Sequence, residues 1–166
     1  MKKTLSKMVI LTIIFLSFSG CTINETGETI SAFFNRLNAI NEAYEFSPDN
    51  LIFDEKTNSY SRFIKFNNED EILLNFETDK RNNLETLNIV TGKNASENES
   101  AYSFIVDAIS AFCSDEATAN KIIEKTDLKN SLKATFFDTK AAECDGIRIE
   151  IDTAEPGTVI SLHKDI

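Results

Sequence analysis

The segment Gly146–Thr153 is the strongest constraint on the fold of this 166-residue chain. Isoleucine occupies every second position from Ile147 to Ile151, and a charged residue follows each isoleucine. Alternation with a period of two is typical of a β-strand with one buried and one solvated face. The chain is therefore expected to contain a sheet that packs one face against a core and leaves the other face polar.

Five further segments are interpreted as strands, and together with Gly146–Thr153 they form two blocks of three. The first block is Tyr60–Phe66, Glu71–Phe76 and Leu84–Thr91, and the second is Ala134–Thr139, Gly146–Thr153 and Thr158–Lys164. Short polar turns separate the strands of the first block, which favours a meander in which each strand is antiparallel to the next. The sequence predicts one antiparallel sheet of about six strands.

Three segments have helical periodicity. In Thr29–Tyr44 the apolar residues recur at the i, i+3, i+4, i+7 spacing, which predicts an N-terminal amphipathic helix. Ser100–Cys113 and Asp115–Lys125 predict a helix pair between the two strand blocks, with Ser114 as a good N-cap of the second helix. Helices that alternate with blocks of antiparallel strands indicate an α+β fold, and residues 29–166 are assigned to a single domain of that class.

The second face of the predicted sheet is a candidate binding face. Its apolar members are Phe63, Leu73, Val90 and Phe137, and polar residues that include Arg148 lie among them. A surface that mixes apolar and polar side chains in this way is typical of an interface. The alternative is that the first helix covers this face, and the sequence leaves both possibilities open.

The N-terminal residues have the three parts of a secretory signal peptide: basic residues, an apolar run at Met8–Phe18, and small residues before Cys21. The junction Ser19-Gly20-Cys21 resembles the lipobox of bacterial lipoproteins. That resemblance implies removal of residues 1–20 and a diacylglyceryl thioether on Cys21, so that residues 21–28 would form a short tether. It also implies a protein anchored in a membrane outside the cytoplasm.

The charge of the chain limits its partners. The sequence has 17 basic and 27 acidic residues. Removing residues 1–20 takes away three lysines and no acid, so the mature chain has a net charge of −13. This acidity argues against nucleic acid as a partner, since such binding needs a basic surface. The expected partners are the membrane, through the lipid on Cys21, and an unknown protein or small molecule.

Besides Cys21 the chain has two cysteines, Cys113 and Cys144. A pair of cysteines in an oxidising compartment is a candidate disulfide, which would tie the helical layer to the sheet. The alternative is two separate thiols, one of them packed in the core.

The sequence contains no recognisable catalytic motif. The single histidine, His163, is expected on the solvated side of the last strand, and no glycine-rich nucleophile elbow surrounds a serine. We predict no catalytic residue, metal site or cofactor. The favoured hypothesis is a lipid-anchored, non-catalytic binding module. The alternatives are an anchored hydrolase that uses a carboxylate pair and a purely structural protein of the cell envelope.

Overall fold

A computed structural model describes residues 28–66, 70–92, 95–133, 138–154 and 157–164. Four α-helices lie in these ranges: α1 (Ile30–Ile40), α2 (Glu99–Cys113), α3 (Glu116–Thr126) and α4 (Leu128–Ser131). The strands are β1 (Ile52–Asp54), β2 (Ser59–Phe66), β3 (Asp70–Thr78), β4 (Leu84–Gly92), β5 (Asp138–Cys144), β6 (Ile147–Ala154) and β7 (Gly157–Lys164). The α+β class is confirmed.

The seven strands form one antiparallel sheet in the order β1-β2-β3-β4-β7-β6-β5. The two predicted blocks of three strands therefore join through their last strands, β4 and β7, with Ile89 opposite Ile160. This pairing of segments about 70 residues apart makes one continuous sheet out of two local meanders.

All helices that the structure describes lie against one face of the sheet. That face carries the isoleucine and leucine positions of the alternating strands, among them Ile72, Leu74, Leu87, Ile149 and Leu162, which are all fully buried. The core between the two layers is closed by aromatic side chains. Phe33 and Phe34 of α1 both pack edge-on against Phe76 of β3, with ring centroids 5.3 and 5.5 Å away.

The apolar stripe predicted for the first helix is buried as expected, at Ile30, Phe33, Phe34 and Leu37. The helix begins where Thr29 caps it, since the Ala32 amide donates to the Thr29 side chain. It ends at Ile40 and not at Tyr44, because the Asn41 side chain accepts from the Ala43 amide and turns the chain out of the helix.

The helix pair between the strand blocks differs from the prediction in its cap. Ser114 is the C-cap of α2, in a left-handed conformation with φ of 60°. Asp115 caps α3 instead, because its carboxylate accepts from the amides of Ala117 and Thr118. The short helix α4 follows directly, and it buries Leu128 against the core.

Both edge strands differ from the prediction. The edge strand β1 is absent from the prediction, because its three residues are all exposed and show no alternation. The strand predicted at Ala134–Thr139 lies farther along the chain, at Asp138–Cys144, and residues 134–137 are outside the described part. Because β5 is paired on one side only, few of its side chains need to be apolar, and its sequence carries a weak signal.

Candidate binding face

The face of the sheet opposite the helices carries a row of four apolar side chains. Phe63 lies directly opposite Leu73, Leu73 opposite Val90, and Val90 opposite Val159. Residues that face each other across antiparallel strands project to the same side of the sheet. The four residues therefore form a continuous apolar row across β2, β3, β4 and β7, and three strand spacings make it about 14 Å long.

The apolar row is accessible to solvent. Phe63 is 56% exposed and Val159 is 36% exposed, while Leu73 and Val90 are half-buried between them. The first helix does not cover this row, because its apolar stripe packs on Phe76, which projects to the opposite side of β3. Of the two possibilities that the sequence left open, the structure places α1 on the other face.

A polar ladder runs beside the apolar row. The Asn75 side-chain amide donates to Ser59 Oγ at 2.9 Å, and the Asn88 amide donates to Asn75 Oδ1 at 3.4 Å and to Glu77 Oε1 at 3.3 Å. These hydrogen bonds link side chains on three adjacent strands. They hold these polar groups in place along one side of the apolar row.

The charges around the row are mostly negative. Lys65 pairs with Glu71 at 2.9 Å, and Arg148 pairs with Glu150. The hydrogen bond and the charge of Glu71 raise the pKa of Lys65. By strand register, six carboxylates and two cations project from the described part of this face. The carboxylates are Asp54, Glu71, Glu77, Glu143, Glu150 and Asp152, and the cations are Lys65 and Arg148.

Three of the five residues predicted for the binding face, Phe63, Leu73 and Val90, lie together in the apolar row. Arg148 is on the same face, opposite His163, about 13 Å along β6 from the level of the row. Phe137 lies outside the described residues. Val159 was missed, although the alternation of β7, in which Ile160 and Leu162 are buried, is the signal that could have identified it.

His163 is on this same face, as its position in the alternation of β7 indicates. Its Nδ1 is 3.2 Å from the Thr86 hydroxyl, and the two residues are direct partners across β4 and β7. Thr86 and Arg148 are its cross-strand neighbours, so the histidine has no carboxylate directly opposite it on either side. The histidine is therefore interpreted as one of the polar side chains of this surface and not as a catalytic base.

A cleft of about 550 Å³ lies on the helical side, between α1, α2 and the start of α3. Of the three carboxylates that line it, Asp107 and Asp115 have structural partners. Asp107 accepts a hydrogen bond from the Tyr44 hydroxyl at 2.9 Å. The pKa of Tyr44 is raised to about 12, mainly because the side chain is partly buried and secondly because of this hydrogen bond. Asp115 caps α3, and the hydrogen bonds from Thr118 lower the pKa of its carboxyl. A general acid needs a raised pKa, so the shift at Asp115 is opposite to the one that a catalytic carboxylate pair requires.

Cys113 and Cys144 are both buried, and both are free thiols in the structure. The sulfur of Cys144 donates to the Asp145 carboxylate at 3.2 Å. Burial raises the pKa of Cys113 to about 12, with further contributions from the charges of Asp115 and Cys144. The two sulfurs are not bonded to each other in this structure, and thiol labelling of the protein tests the predicted disulfide against the alternative of two separate thiols.

Ion pairs and a backbone hydrogen bond attach Glu28, the first described residue, to the end of the sheet formed by the start of β4 and the end of β7. The Glu28 carboxylate pairs with Arg36 of α1 and Lys164 of β7, and its carbonyl accepts from the Leu84 amide at 2.5 Å. The Arg36 side chain also donates to the Ala111 carbonyl at 2.6 Å. The predicted tether therefore enters the domain where β4 begins and β7 ends.

Cys21 lies outside the described residues, so its lipidation stays a prediction. No helix in the described ranges is long and apolar enough to cross a membrane. In the same ranges, no three or more His, Cys, Asp or Glu side chains are grouped so that they could hold a metal ion. No protein-family model, curated protein or solved structure matches this chain.

Proposed function

We propose that this chain is a lipid-anchored binding module that acts outside the cytoplasm and recognises its ligand with the open face of its sheet. The observation that carries the proposal is the exposed apolar row Phe63–Leu73–Val90–Val159. A row of apolar side chains aligned across four adjacent strands does not make a surface more soluble. The same row stabilises a complex when a partner covers it.

The anchor is proposed from the N-terminal sequence alone. Two acyl chains on Cys21 would hold the protein at a bilayer without a membrane-spanning helix. Glu28 is seven positions after Cys21, and seven extended residue steps span at most about 25 Å. The end of the sheet at Leu84 and Lys164 would therefore be directed toward the membrane.

This placement leaves the binding face free. The row lies about 13 Å along β4 from Thr86, which is near the tethered end. The acidic residues around the row would be repelled by an anionic lipid surface, so the face would not lie flat on the bilayer. It would stand away from the membrane and be open to a partner.

The test combines the anchor and the face in one experiment on the full chain in bacterial membranes. A photoreactive amino acid is placed at Phe63 in one variant and at Glu124, an exposed position of α3, in the control variant. Radiolabelled fatty acid reports lipidation, and crosslinking with mass spectrometry reports the contacts of each position. We expect labelled protein in the membrane fraction and a discrete adduct from position 63 that is absent from position 124. Equal crosslinking from both positions would contradict the proposed face, and absence of fatty-acid label would contradict the anchor.

A further inference from the structure

The binding face combines an apolar row with an excess of negative charge, and this combination specifies the chemistry of its partner. This inference rests on the proposed function. Two of the six carboxylates on the face, Glu71 and Glu150, are paired with its two cations. Of the others, Glu77 accepts from Asn88 and Asp152 accepts from the Thr139 hydroxyl at 2.6 Å. These are neutral donors, so the carboxylate charges stay uncompensated by the face itself.

The shape of the face favours a macromolecule over a small ligand. Small molecules are usually bound in concave sites that bury most of their surface. In the described part of the chain, clefts of about 550, 420 and 340 Å³ are lined by other residues, and none of the four members of the apolar row contributes to any of these three. A row about 14 Å long on a sheet surface instead matches a stretch of polypeptide that carries several apolar side chains.

The charge excludes three other occupants, which are a second copy of this chain, anionic lipid and nucleic acid. In a two-fold contact between copies of this chain, each face would meet the same excess of carboxylates on its partner, and like charges across an interface are unfavourable. Anionic lipid and nucleic acid are repelled for the same reason. Lysine and arginine side chains on a partner would complement the carboxylates of this face.

We infer that the open sheet face binds a basic polypeptide segment whose aliphatic or aromatic side chains pack on Phe63, Leu73, Val90 and Val159. Its lysine or arginine side chains pair with carboxylates of the same face, such as Asp152, which lies opposite Val159, and Glu77, which lies about 13 Å along β3 from Leu73. The apolar row supplies most of the affinity, and the carboxylates supply orientation and the preference for a basic partner.

The test uses the full-length protein, extracted from membranes in a neutral detergent, and a displayed library of random 12-residue peptides. The library is selected on the parent protein and counter-selected on Phe63→Ser, whose side chain is more than half exposed and is not needed for the core. We expect the enriched peptides to contain both large apolar residues and lysine or arginine. Synthetic copies should bind Phe63→Ser on the order of tenfold more weakly, which corresponds to the loss of one hot-spot side chain.

Charge variants separate the inferred chemistry from general stickiness. The double variant Glu77→Gln/Asp152→Asn should weaken binding and reduce its salt dependence. The control Glu116→Gln/Glu124→Gln removes two negative charges from α3, on the helical side, and should leave binding unchanged. Urea unfolding of each variant confirms that it is folded.

The outcomes are distinguishable. Enriched acidic or uncharged peptides that still need Phe63 would overturn the inferred partner chemistry and leave the proposed binding function standing. Peptides that bind Phe63→Ser as well as the parent would show that the face is not the site. A concentration-dependent dimer that Phe63→Ser dissolves would assign the face to a second copy and would also overturn the inference.

Discussion

The substitution Ile149→Ala tests the orientation of β6, on which the assignment of the two sheet faces depends. Ile149 is fully buried and lies opposite Leu162 of β7 and Ala142 of β5. Glu150, the next residue, projects to the other face and pairs with Arg148. Adjacent residues of one strand thus have opposite environments, and Glu150→Ala is the matched control.

The expected effect follows from the atoms removed. Ile149→Ala deletes three buried carbon groups, which at about 0.8 kcal/mol each corresponds to a transfer free energy of about 2.4 kcal/mol. The cavity left between β6 and the helices adds to this, so the total loss of unfolding free energy falls in the range of about 2–5 kcal/mol. Glu150→Ala removes one member of a surface ion pair and should lower the free energy of unfolding by about 0.5 kcal/mol.

The measurement is urea unfolding followed by far-UV circular dichroism, because the chain has no tryptophan. With a slope of about 1.5 kcal/mol per molar urea, a loss of about 3 kcal/mol lowers the midpoint by about 2 M, and the control moves by a few tenths of a molar. Equal midpoints for the two variants, with unchanged slopes, would refute the strand orientation and with it the position of the binding face.

Three further predictions concern the anchor, the thiols and the turn at Asp145. Cys21→Ser should move the protein from the membrane fraction to the soluble fraction or block signal processing, and a variant that fractionates and is processed like the parent would contradict the lipoprotein interpretation. Because Cys113 and Cys144 are free thiols in the structure, the denatured mature protein should show two reactive thiols before reduction; none before and two after would establish the disulfide instead. Hydrogen bonds from Cys144, Thr118 and Lys121 lower the pKa of Asp145 to about 2. This carboxylate therefore stabilises the fold above its ordinary pKa of about 3.8 and loses that contribution as the pH falls toward 2. Urea midpoints of Asp145→Asn should lie below those of the parent at pH 6 and converge with them near pH 2, and a difference that is the same at every pH would oppose this explanation.

Local periodicity was sufficient to predict most of the elements. The stripe of α1 and the alternation of β6 each follow from side-chain directions that a helix or strand imposes on its own residues. The same alternation placed Phe63, Leu73 and Val90 on one side of their strands, and the register of β2, β3 and β4 agrees with it. Edge strands were the exception, because β1 and β5 bury little and so require little pattern.

Long-range packing decided the rest. The sequence provides apolar residues on both faces of the first meander, so periodicity alone could not show which face α1 covers. The structure places α1 on the face with Ile72, Leu74 and Phe76, since only there do its phenylalanines meet fully buried partners. The pairing of β4 with β7 likewise depends on contacts between segments distant in the chain, and it alone adds Val159 to the apolar row. A strand's own sequence determines which residues share a side, whereas the neighbours that strand acquires depend on how the whole chain fills its core.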